Sequence, residues 1–201
     1  GWEVEAADTI YQGLKSWETR IKYERQNTVD HYQWMLDNET NPLAPRSYDR
    51  ELKAIGDWSR WYIEAVKSPG RLMVGRAIGS PYTLSPKLQA IENAAVSKIQ
   101  AETLKALDYV DKVFGKDSAE RPKQIATANL AKPIFVPSGK YASAADLAAA
   151  ELPSRITVEY IGGGTGEVDV TWSSTTRPTF DPERNGLYRF TGTLSGLEDG
   201  V

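Results

Sequence analysis

The sequence predicts an α + β chain with its two classes in separate modules: an N-terminal three-helix antiparallel bundle followed by a small β-sandwich. Three observations carry this. Up to Gly115, apolar side chains recur at three- and four-residue spacing, the helical period. After Leu152, apolar and polar residues alternate among β-branched residues and glycines, the strand period. Five of the six tryptophans lie at or before residue 61, so composition as well as period changes along the chain. At 201 residues the chain is long enough to bury a core without staples.

The first helix is expected from about Glu3 to Asn38, roughly 50 Å at about 1.5 Å per residue. Ile10, Leu14, Trp17 and Ile21 step by four, three and four onto one stripe, continued by His31 or Tyr32 and by Met35. Asn41-Pro42 and Pro45 break it. The second helix is expected to start at an N-cap Ser47, to bury Leu52, Ile55, Tyr62, Ile63 and Val66, and to end at Ser68-Pro69-Gly70. Arg71 to Tyr82 is punctuated by glycine and has room for a short helical turn. Ser85-Pro86, an N-cap with proline at the first helical position, opens the third helix. Leu88, Ile91, Ala95, Ile99, Leu107, Val110 and Phe114 line its buried face, and Gly115 ends it.

The bundle therefore spans about 1–118 and a linker 119–132, whose composition permits either a rigid or a loose join. The β module spans 133–201. Pro133 leads into a strand Ile134-Phe135-Val136, closed by Pro137-Ser138-Gly139. Ala142 to Leu152 is alanine-rich and reads as a single loop helix with Ser143 as N-cap. Strands follow at Ile156/Val158/Tyr160, at Val168/Val170/Trp172 and at Tyr188/Phe190/Leu194, the first two joined by the turn Gly162 to Gly166.

Composition excludes whole classes of chemistry. Lys+Arg 24 against Asp+Glu 27 gives a net charge of −3, so neither nucleic acid nor an anionic membrane surface is an expected partner. No cysteine is present, which removes disulfides, thiolate metal sites and cysteine nucleophiles. A single histidine, His31, rules out a histidine-rich metal site within one chain. No apolar stretch approaches the roughly 20 residues of a membrane span. The opening Gly1-Trp2-Glu3-Val4-Glu5 lacks the basic and apolar regions of a signal peptide and reads as a mature or excised piece. No cofactor and no catalytic residue is expected.

Three motifs in the β module agree in order and spacing: Leu152-Pro153 with Ile156-Thr157-Val158, then Val168-Asp169-Val170-Thr171-Trp172, then Asn185-Gly186-Leu187-Tyr188-Arg189-Phe190-Thr191-Gly192-Thr193-Leu194. They resemble the bacterial immunoglobulin-like domains of group 4, over about residues 133–201. The resemblance implies an immunoglobulin-like sandwich, here without the family's closing strand. Trp172 would fill the space between sheets, and Tyr188 would take the place of a tyrosine-corner tyrosine. It further implies a bacterial, secreted or cell-surface setting, often Gram-positive, in a multidomain protein where such domains space or present their neighbours. Alternatives in the same setting are an accessory part of a glycoside hydrolase or polysaccharide lyase, and a segment of an S-layer-like assembly.

For binding, the bundle aromatics are the main candidates. Trp58 and Trp61 share a helix face, with Tyr62 and Trp34 nearby in composition. An exposed indole face can stack on a sugar ring of a polysaccharide or cell-wall polymer, with Asp57 and Glu64 accepting hydroxyl hydrogen bonds. The competing reading is that these rings fill the bundle core. Asp181, Glu183 and Asn185 stand at alternating positions that suit Ca²⁺. Against this, Pro182 interrupts them and the twelfth position is Gly192, so a plain Asn-Gly turn competes and no metal site is assigned.

Overall fold

The computed structural model describes residues 2–38, 45–74, 83–128 and 134–195. The expectations for Asn41-Pro42, Pro133 and the end of the chain lie outside the described residues, as do the side chains of Ile21, His31, Tyr32, Met35 and Ser47.

The N-terminal part is three long helices: α1 Trp2–Asn38, α2 Pro45–Val74 and α3 Pro86–Phe114. Ala6, Ile10 and Trp17 of α1 are buried, spaced as one helical stripe. Trp17 meets Tyr62, Ile63 and Val66 of α2 and Ala95 and Ile99 of α3 in the upper core. Ala6 packs at the other end with Leu84 and Leu88. Contacts of α1 thus advance along α3 in the same direction, with α2 antiparallel between them. Each buried aliphatic side chain contributes about 1.5–3 kcal/mol, so these stripes are what hold three helices together. At its C-terminus α3 is closed by Gly115 in the left-handed conformation, its N–H bonding back to the last turn.

Two helix boundaries differ from expectation. α2 begins at Pro45 instead of after Ser47, using proline where its missing N–H is harmless. It also runs through Ser68-Pro69-Gly70 to Val74. There the side chain of Arg71, 6% exposed, forms an ion pair with Glu64 two turns back, bracketing Pro69.

The C-terminal part is one antiparallel sheet in the order β1-β2-β3-β4: β1 Ile125–Ala128, β2 Arg155–Tyr160, β3 Thr165–Arg177 and β4 Arg189–Ser195. A short helix α4, Ala144–Glu151, is capped by the Ser143 hydroxyl accepting from Asp146 N–H at 3.1 Å. It is the loop helix read from the alanine run and is the fourth α-helix among the described residues. Ile156, Val158, Val168 and Val170 point to one face and form the sheet's own core, with Trp172 and Leu194 half-buried beside them. Among the described residues there is a single curled sheet, where two facing sheets were expected. Ile134-Phe135-Val136, expected as a strand, is irregular and has no ladder partner. Its proline neighbour at 137 and the exposure of Phe135 fit a connection better than a buried strand.

Of the expected linker 119–132, residues 119–128 are described: a 3₁₀ turn, Ser118–Glu120, runs into them and β1 follows. This segment is stitched to the bundle. Gln124 donates from Nε2 to the Leu52 carbonyl at 2.7 Å, and its own carbonyl accepts from Ile161 N–H at 2.8 Å. Arg60 Nε donates to the Ile125 carbonyl at 2.7 Å. Gln100 of α3 bonds the β2–β3 turn twice, giving Nε2 to the Tyr160 carbonyl and taking Gly162 N–H on Oε1. Ile161 is buried with Tyr48, Leu52, Leu107 and Val110 in the lower bundle core. Ala126 touches both bundle clusters. Beneath them Asp111, 1% exposed, accepts from Tyr48 at 2.5 Å and from Arg121 at 2.6 Å.

Candidate functional site

Two places offer aromatic surface. The first is on the bundle. Tyr62 is buried, and three tryptophans surround it: Trp17 at 6.1 Å between centroids, Trp58 at 5.2 Å and Trp61 at 4.8 Å, the last two edge-on. Burial raises the Tyr62 hydroxyl above the usual phenol range, with Arg20 pulling the other way. Trp58 is half-buried. Trp61 is 58% exposed, with the Arg20 guanidinium over its ring at 5.7 Å. Trp34 is also exposed but stands about 20 Å further along α1 than Arg20, at about 1.5 Å per residue. The structure therefore brings Trp58, Trp61 and Tyr62 together and leaves Trp34 apart.

The two carboxylates on this face already hold cations. Asp57 accepts from Lys53 and from Arg60, each at 2.9 Å, and Glu64 holds Arg71. A hydroxyl ligand would have to share them.

The second place is in the β module. A cleft of about 430 Å³ opens between residues 134–141, the end of α4 with Leu152-Pro153, Trp172 of β3, and the 180–190 loop. Trp172, Phe180, Tyr188 and Phe190 are half-buried along it, and Phe135 and Leu187 stand exposed at its rim. Phe180 and Tyr188 meet edge-on at 5.1 Å. The walls are tied to one another. Trp172 donates its indole N–H to the Pro153 carbonyl at 2.7 Å. Gly192 lets this ring lie across β4, since a Cβ there would stand 2.9 Å from Cζ3 of Trp172. The Tyr188 hydroxyl lies 2.9 Å from the Arg184 carbonyl and 3.1 Å from that of Asp181. Tyr141 and Lys140 both donate to Glu151 at the end of α4, at 2.5 and 2.6 Å. Those two bonds, that from Lys140 first, hold the Glu151 carboxyl below its ordinary range, and the bond to Glu151, with Tyr141 beside it, holds the Lys140 ammonium above its own.

The Tyr188 hydroxyl reaching back to carbonyls just upstream is the arrangement of a tyrosine corner. Residues 140–197 match the family model of the bacterial Ig-like domain (group 4). The C-terminal module carries this domain. Comparison of the chain with curated proteins and with solved structures returns no match. Within the Ig-like domain, Asp181 Oδ1 accepts from Glu183 N–H at 3.0 Å, the hydrogen bond of a tight turn. Among the described residues no group of three or more His, Cys, Asp or Glu side chains is placed to hold a metal ion. No helix among them is long and apolar enough to cross a membrane.

Sequence reasoning found Trp172 and Tyr188 but not the cleft. Phe135, Tyr141 and Phe180 sit in irregular segments, where no period marks a face. The signal there is local: prolines at 137 and 182, each two residues from a phenylalanine.

Proposed function

We propose that this chain is a non-catalytic spacer and attachment segment of a multidomain bacterial secreted or surface protein, holding a helical bundle and an Ig-like domain in fixed relation. The observation that carries this is the joint. The side chains of Arg60, Gln100 and Gln124 bond backbone across it, and Ile161 is buried inside the bundle's lower core. A loose connection would need none of these. The Ig-like domain supports the bacterial setting and the accessory role.

The chain has no cysteine, so two introduced ones report distance cleanly. Spin labels at Gln12→Cys on α1 and Thr193→Cys on β4 are expected to give one narrow distance distribution by pulsed electron resonance. A broad or multiple distribution contradicts a fixed relation.

A second reading adds a polysaccharide or cell-wall polymer as partner of the bundle aromatics, favoured by the exposure of Trp61 beside half-buried Trp58. Replacing both by alanine, with helicity retained, is expected to abolish binding to purified cell wall. Unchanged binding removes this reading.

A further inference from the structure

We propose that the cleft of the Ig-like domain binds an acidic saccharide, one or two pyranose rings carrying a carboxylate. This goes beyond the spacer role and does not depend on it.

The cleft is built before any ligand arrives. Gly139 N–H donates to the Pro182 carbonyl at 2.9 Å, and the Ser138 hydroxyl to the same oxygen at 3.3 Å. With the Tyr188 and Trp172 bonds already described, each wall is fixed to the next. A pre-formed concavity of a few hundred Å³, mostly apolar with few polar groups, is the usual form of a small-ligand site.

The same bonds select the class of ligand. They draw on the carbonyls of Pro153, Asp181, Pro182 and Arg184 and the N–H of Gly139. An extended peptide would rely on such backbone groups. With those groups engaged, the lining that meets a ligand is mainly apolar ring surface, with side-chain ends at its edge. Ring surface suits the C–H faces of a sugar.

Arg184 supplies the charge. It is exposed, it lines the cleft, and its guanidinium has no hydrogen-bond or ion-pair partner among the described residues. Arg60, Arg71, Arg121 and Arg155 all hold a carboxylate. Among the described residues that line the cleft, Arg184 is the one with a cationic side chain. Asn185 beside it is also unbonded through its side chain among the described residues and can serve a hydroxyl. The acidic lining residue, Asp181, has Oδ1 engaged by Glu183 N–H. An unpaired guanidinium at an aromatic cleft matches a carboxylate bidentately.

The test uses the full, isotope-labelled chain titrated with digalacturonate and with cellobiose, read by amide and indole NMR shifts. Saturable shifts at the Trp172 indole and at Gly139 and Asn185 are expected with digalacturonate, with cellobiose at least about tenfold weaker. Arg184→Ala is expected to weaken digalacturonate by about tenfold or more, the loss of a charged hydrogen bond. It should leave the spectrum folded, because that side chain supports nothing else. Phe135→Ala, at a 94% exposed ring, is expected to weaken both sugars. No saturable shift in the cleft with digalacturonate overturns the proposal. So do equal affinities in the Arg184→Ala chain, shifts confined to Trp61, or cleft shifts with a triglutamate peptide and not with the saccharide.

Discussion

The Gln124 side chain lies directly over Gly56 of α2, where a Cβ would collide with its amide group. The contact lets Gln124 reach the Leu52 carbonyl at 2.7 Å, inside a buried surface. A glycine within a helix normally costs about 1 kcal/mol against alanine. Here the cost accompanies the passage of β1 across α2.

Gly56→Leu is expected to destabilise the chain by about 2–4 kcal/mol, combining overpacking with a buried amide left without its acceptor. Gly56→Ala should also destabilise, against the sign that helix propensity alone gives. Urea unfolding of the two variants measures both. A gain in stability for Gly56→Ala would show that the Gln124 contact yields freely.

On the other side of the joint Gly162 lies against α3, with φ +87° and its would-be Cβ 3.3 Å from Leu107 Cδ1. Gly162→Ala is expected to cost about 1–3 kcal/mol, the range for a side chain forced into such backbone. The loss should appear as a lower thermal midpoint with unchanged helix content at 25 °C.

Asp111 joins Tyr48 of α2 to Arg121 of the linker. Asp111→Ala leaves the largely buried Arg121 guanidinium with Asp108 alone, at 3.0 Å, and is expected to cost about 2–4 kcal/mol. Tyr48→Phe removes one hydrogen bond and should cost about 1–2 kcal/mol. If both variants cost the same in denaturant titrations, the charge on Arg121 is not what Asp111 neutralises.

Tyr48 and Tyr62 give the chain a dependence on alkaline pH. Burial raises both hydroxyls above the ordinary value of 10.0, and the Asp111 carboxylate raises Tyr48 further. The folded state therefore holds these protons more tightly than the unfolded one. The stabilisation is full below pH 10 and is lost as pH rises from there through the folded values. Unfolding free energy should fall with pH above about 10, and less steeply in the Tyr48→Phe chain. Parallel slopes would contradict the assignment.

How much of this was legible follows from where each side chain sits. Ile10, Trp17, Ile63, Ala95 and Ile99 repeat at helical spacing because three helices must each bury a stripe, so the bundle could be read directly. Ile156, Val158, Val168 and Val170 alternate because one face of the sheet is buried. Tyr188 was found by resemblance, and its bonds to Asp181 and Arg184 carbonyls supply the reason. The joint was not legible. Gln100, Gln124 and Arg60 are ordinary polar residues in sequence, and only the docked backbone shows what they bond. Pro69 misled because a proline usually marks a helix end, yet α2 continues to Val74 with Arg71 held on Glu64. Of the bundle aromatics, Tyr62 proved a core residue and Trp61 a surface one, a distinction that spacing on one helix does not make.

The central claim is that bundle and Ig-like domain form one joined unit. Equilibrium urea unfolding of the whole chain, followed together by helical circular dichroism and by the NMR signals of Val158, Val168 and Val170, tests it most directly. The joint predicts coincident transitions, separated into two by Gly56→Leu. Loss of the valine signals at lower urea than the helices in the unaltered chain would contradict it.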